Sequence, residues 1–228
     1  MYKELKIEKI TATIGKLLTR INDRFPESGI SGVCEELHLC AQKIEQNIGY
    51  IAKPNRLIQL AVLIVVLVFV ATLIYSISII EWEFNKPSLA DVIQITEALI
   101  NDVILVGAAL FFLFSIENRF KRQKALKELH QLRSLAHVID MHQLTKDPSI
   151  VHSEYQRTQH SPERKITAFE LQRYLDYCSE MFSLIGKLAA KFSESLPEPT
   201  IVSAANNIES LCTGLSQKVW QKMDFLRN

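Results

Sequence analysis

Hydrophobic positions along this chain fall into stripes at alternating three and four spacing, the signature of amphipathic helices, and no stretch alternates with the period of a strand. Between Lys3 and Arg24 the stripe is Ile7, Ile10, Ile14, Leu17 and Ile21, closed by FPESG. A second helix is predicted from about Ser31 to Ala52, with Val33, Leu37, Cys40, Ile44 and Ile51 on one face, ending at KPNR. Toward the C-terminus, Thr167 and Glu170 form a T-x-x-E capping box. Leu171, Leu175, Cys178, Phe182, Ile185, Ala189 and Phe192 follow at heptad spacing, and LPEP ends that helix. A last stripe runs through Ile201, Ala205, Ile208, Cys212, Leu215 and Val219. Each stripe needs a neighbour to cover it, so these segments are expected to pack as a helical bundle or coiled coil.

Two segments break the amphipathic pattern. Leu60 to Ile80, LAVLIVVLVFVATLIYSISII, carries no charge. At ~1.5 Å per residue it matches the ~30 Å hydrocarbon core of a bilayer, which predicts a transmembrane helix over about 57–80. The second segment is less uniform. Its charge-free part, Val103 to Ile116, would rise only ~21 Å, so a full crossing over about 92–116 must include the turns that hold Glu97, Asn101 and Asp102. The fold class expected is therefore all-α, a two-span hairpin joined to a helical bundle. Its parts are an N-terminal helical hairpin (1–56), the membrane hairpin (57–117), an extension of the second span (118–146), a linker (147–165) and a C-terminal helical hairpin (166–228).

Charge placement gives an orientation. Lys53 and Arg56 precede the first span, while Arg119, Lys121, Arg122, Lys124 and Lys127 follow the second. The connecting loop, EWEFNKPSLAD, has one lysine against Glu81, Glu83 and Asp91, and offers Trp82 and Phe84 as interfacial anchors. The positive-inside rule then places both termini in the cytoplasm and the protein in the inner or plasma membrane. The basic cluster reads first as a stop-transfer anchor, with contact to anionic lipid as a further role. The N-terminal residues lack the apolar core of a cleavable signal peptide.

The second span carries the feature of greatest functional interest. Stepping three, four, three, four from Gln94 meets Glu97, Asn101, Ile104, Ala108, Phe111 and Ser115, and continues in phase through Asn118, Arg122, Ala125, Leu129, Leu132, Ala136 and Ile139. One helix from about Val92 to Gln143 could keep this seam throughout. The seam is polar or small where the surroundings would be lipid and apolar where they would be water, as expected of a face that meets protein. It could pack against the first span or a sister subunit. Alternatively, several copies could line a pore, with Glu97 as an outer carboxylate ring and Phe111 as an apolar constriction. Asp102 lies off the seam.

Composition narrows the function classes. Among 228 residues, 26 basic and 25 acidic side chains leave a net charge of +1, which argues against a nucleic-acid partner. Cys34, Cys40, Cys178 and Cys212 show neither zinc nor disulfide spacing and read as buried free thiols. His130 and His137 stand two turns apart, too far to share one metal, although His137 and Asp140 could join a third ligand from elsewhere. Arg133 and His137 do not match the arginine–histidine spacing of HEPN-type ribonucleases. No P-loop, G-x-S-x-G, H-E-x-x-H or Rossmann fingerprint occurs. The expectation is a non-enzymatic membrane protein without cofactor, metal or catalytic residues. It would form homo-oligomers or bind a cytoplasmic protein through its helices; the alternative is an ion-permeable or membrane-perturbing oligomer gated from the cytoplasmic side.

Overall fold

The computed structural model describes residues 5–53, 56–79, 89–148, 159 and 166–227, and among these every regular element is helical. The helices are α1 (Ile7–Arg24), α2 (Gly29–Ala52), α3 (Arg56–Ile79), α4 (Leu89–Leu144), α5 (Ala168–Ser195) and α6 (Pro199–Arg227). The interhelical loop with Trp82 and Phe84, and most of the 147–165 linker, lie outside the described residues.

Local chemistry sets the boundaries. The Phe25 N–H closes α1 on the Ile21 carbonyl at 2.7 Å, and Pro26 prevents its continuation. Ser28 then caps α2, its hydroxyl accepting the Ser31 N–H at 3.3 Å. Between them Glu27 takes φ 53°, the left-handed conformation that reverses the chain. The capping box at α5 forms as the sequence predicts: Thr167 accepts the Glu170 N–H, and the Glu170 carboxylate accepts the Thr167 N–H at 2.8 Å. Pro199 opens α6 at the first helical position, where a missing N–H costs nothing.

The chain divides into two units. One comprises the residues up to Ala52 together with those from Lys124 onward; the other is Lys53–Gln123. In the first, α5 and α6 pair extensively, α1 packs on α2, and both lie on α5. The stripes read from the sequence on α1, α5 and α6 are buried at every position named above. So are Ala125, Leu129, Leu132, Ala136 and Ile139 of α4, which makes five helices contribute to one core. On α2 the buried face is Ile30, Val33, Cys34, Leu37, Ala41, Ile44 and Ile48. Cys40, expected on that face, is half-buried instead, because the stripe turns through Ala41, one residue on.

The second unit holds α3 and the first part of α4. Both are long and apolar enough to cross a membrane, and no position of the most apolar window in either is buried. That separates them from the core helices of a soluble fold, whose apolar side chains are covered. Three of their hydroxyls are satisfied locally: Thr72 bonds the Phe69 carbonyl, Ser78 that of Tyr75 and Thr96 that of Val92, each at 2.8 Å.

Candidate functional site: the exposed face of α4

The seam predicted from spacing falls on one uninterrupted helix, α4, and its two halves meet different surroundings. From Ala125 to Ile139 it is core. From Gln94 to Ser115 it is open: Gln94, Glu97, Asn101, Ile104, Ala108, Phe111 and Ser115 are all exposed, with Ile104 at 63% and Phe111 at 76%. The partly covered positions of the same stretch are Val106, Ala109, Leu110, Leu113 and Ile116. At 100° per residue those positions centre about 150° around the helix from the seam. Asp102 belongs to that covered side by phase, as its separation from Glu97 predicts, although it is itself exposed.

The chemistry of the open face differs from that of the hydroxyls described above. Among the described residues, Gln94, Glu97, Asn101 and Ser115 have no side-chain hydrogen-bond partner, while Thr96, off the seam, bonds its own backbone. Among the described side chains of α3, the uncharged polar ones are Gln59, Thr72, Tyr75 and Ser78. Its Thr72 and Ser78 are committed to backbone carbonyls, and Gln59 stands in its first turn. Ala108 at the centre of the seam is small, and an added Cβ on neighbouring Gly107 would meet nothing within 4 Å.

The basic cluster continues along α4. Lys121 pairs with buried Glu117 at 2.8 Å and is itself only 12% exposed, so it forms a structural ion pair. Arg119 and Lys127 are exposed, while Arg122 and Lys124 are half-buried. His130 and His137 are both exposed, and no group of three metal-ligating side chains occurs among the described residues.

Three polar arrangements in the bundle were not signalled by sequence. Glu128, only 3% exposed, accepts from Lys43 at 3.2 Å and from Asn47 at 3.3 Å, and so ties α4 to α2. Lys43 also donates to Gln131 at 3.2 Å. At the other end of this stretch, the Lys222 ammonium of α6 donates to the carbonyls of Gln143 and Lys146 at 2.8 and 3.3 Å, supplying the acceptor groups at the end of α4 with a donor. Burial pulls the Lys222 ammonium below the ordinary lysine range, against the pull of Asp147 and Asp140. On the far side, Arg20 grips Glu180 through two bonds of 3.1 Å, joining α1 to α5. Glu128 borders a run of leucines at helical spacing, which was the available hint; Lys222 offered none, because its acceptors lie 79 and 76 residues away.

The bundle surface also carries grooves. One of about 560 Å³ between α2 and α4 is lined by Leu39, Cys40, Lys43, His130, Leu135 and Val138, and Leu39 is 56% exposed. Another of about 780 Å³ between α1 and α5 carries Lys6, Lys9 and Lys187 around Leu5, Ile10 and Leu184.

No family model matches this sequence, and no curated protein or solved structure is significantly similar to it.

Proposed function

We propose that this chain is a non-catalytic, two-span integral membrane protein whose hairpin anchors a cytoplasmic helical bundle that assembles with further copies or with a protein partner. The observation that carries this reading is a contrast in burial. The bundle closes around its own apolar stripes, whereas α3 and the first part of α4 leave their apolar windows uncovered. An apolar surface of that size requires a non-aqueous neighbour, and helices of this length match a bilayer. The basic residues Arg119, Lys121, Arg122, Lys124 and Lys127 support an orientation with both termini in the cytoplasm, where they would meet anionic headgroups. The α2–α4 groove, with Leu39 and Val138 exposed at its edge, is the bundle surface best suited to a cytoplasmic partner.

A second reading is favoured by the exposure of Glu97 and Phe111 on one face. With several copies around an axis, that face would line a water-filled path.

The test is fractionation of the full chain with thiol-directed topology mapping. Retention in carbonate-washed membranes, with both termini reached only after the cytoplasmic side is opened, is the expected result. Release by carbonate would overturn the membrane reading, and native mass spectrometry in detergent reports the assembly.

A further inference from the structure

We propose that the face of α4 formed by Gln94, Glu97, Asn101, Ile104, Ala108, Phe111 and Ser115 packs against the same face of a second copy of this chain, with Asn101 and Gln94 bonding their own counterparts across the contact. The inference rests on the membrane reading above and names the surface and the partner.

Four observations converge on it. The first is satisfaction. Thr72, Ser78 and Thr96, off this face, bond their own backbone, and the four polar side chains on it have no partner among the described residues. In hydrocarbon an unsatisfied amide is costly, so these groups need a donor and acceptor from outside the helix. The second is direction. The face lies about 150° from the positions of α4 that are already partly covered, so it points away from what this unit buries by itself.

The third is complementarity. A carboxamide is both donor and acceptor, so Asn or Gln can pair with an identical residue, which a purely donating or accepting group cannot do. Copies inserted in one membrane share one orientation, so Asn101 meets Asn101 at equal depth, and Gln94 meets Gln94. A second copy of α3 matches it less well, because Thr72 and Ser78 have spent their donors on backbone carbonyls and its carboxamide, Gln59, stands in the first turn. The fourth is approach. Ala108 occupies the middle of the face, and the space beside it over Gly107 is open, so another backbone can come close. Glu97 sits between the two amides, one turn from each, where an amide N–H from the facing helix can reach its carboxylate.

Disulfide trapping in native membranes tests this with the full chain. Ala108→Cys places a thiol at the centre of the face, and Leu113→Cys places one on the partly covered side. The four native thiols are buried or half-buried and lie outside this segment, so mild oxidation leaves them silent. The expected result is a cross-linked dimer from Ala108→Cys and little from Leu113→Cys. Adding Asn101→Leu, which keeps the segment apolar enough to insert, should lower the Ala108→Cys dimer several-fold. Equal trapping at both positions, or none at Ala108→Cys in carbonate-resistant membranes, would overturn the proposal while leaving the membrane reading intact. Loss of the chain from washed membranes would overturn both.

Discussion

Lys43 holds the buried carboxylate of Glu128 at 3.2 Å, and the two partners are unequally placed: Lys43 is 46% exposed, Glu128 only 3%. Asn47 donates to the same oxygen, and the other oxygen, Oε2, is buried with no partner among the described residues. The pair is therefore asymmetric in what each deletion leaves behind. Lys43→Met strands a buried negative charge, whereas Glu128→Met removes the desolvated group and releases a lysine that already reaches water.

Lys43→Met is expected to destabilise the bundle by about 1–3 kcal/mol, while Glu128→Met is near neutral or stabilising. The double variant should resemble Glu128→Met, since nothing charged remains to be stranded. Unfolding midpoints of the four proteins in one detergent check this; equal losses for the two single variants would refute the asymmetry.

The thiols predict an alkaline limit. Burial pushes Cys34, Cys178 and Cys212 up to about 12 and Cys40 to about 11, against an ordinary value of 9.0. Each folded value is raised, so the folded state binds more protons than the unfolded chain between the two values. The stabilisation is complete below about pH 9 and is lost as pH rises through the folded values, with a slope of ~1.4 kcal/mol per pH unit for each thiol. Replacing Cys178 by Ala should flatten that slope by one thiol's share even though it lowers stability at neutral pH. In the native protein at pH 8, maleimide should label Cys40 first, because it alone of the four is not buried. Mass spectrometry of timed samples would show the order, and early labelling of Cys178 would contradict the buried core.

The residues that were legible in sequence share one property: their role depends on spacing along a single helix. Ile14, Phe182 and Leu215 are buried because their stripes leave them no other stable place, and Thr167 caps α5 with a partner three residues away. That Gln94 to Ser115 share one phase of α4 with Leu129 and Leu132 was legible for the same reason. What could not be read depends on residues distant in sequence. Lys222 reaching Gln143, Glu128 meeting Lys43 and Arg20 gripping Glu180 each require knowing which helices are neighbours. Cys40 fell on the wrong side of its helix because a cysteine suits a buried or a half-open site equally, and Ala41 beside it took the core position.

Gly29 lies against His142. A Cβ at Gly29 would lie 2.5 Å from Cε1 of His142, so the imidazole, packed between the last turn of α4 and the first turn of α2, would have to move to admit it. Gly29→Ala should cost about 1–3 kcal/mol through overpacking, and His142→Ala should recover most of it by removing the ring. At Gly107, by contrast, an added Cβ meets nothing within 4 Å of the single chain, so Gly107→Ala should not lower the unfolding midpoint and, inside a helix, should raise it slightly. A pair of thermal melts for each glycine separates the two cases. Failure of His142→Ala to rescue would mean that the cost lies in the α2 backbone instead.

Close packing of the α4 faces also predicts electrical silence. If Asn101 and Ala108 of one copy meet those of another, the contact is filled by side chains and leaves no water path between Glu97 and Phe111. Purified oligomer in a planar bilayer should then show no discrete openings, and Glu97→Gln should change the stability of the assembly more than any current. The pore reading makes the opposite forecast. A ring of Glu97 carboxylates would favour cations, so Glu97→Gln would shift the reversal potential under a salt gradient. A ring of Phe111 would form the narrowest apolar segment, so Phe111→Ala would raise open probability by easing its wetting. The two readings share their surface and differ only in what fills its centre. Recordings on wild type, Glu97→Gln and Phe111→Ala, with the oligomer verified in the same preparation, therefore decide between a helix contact and a conduit.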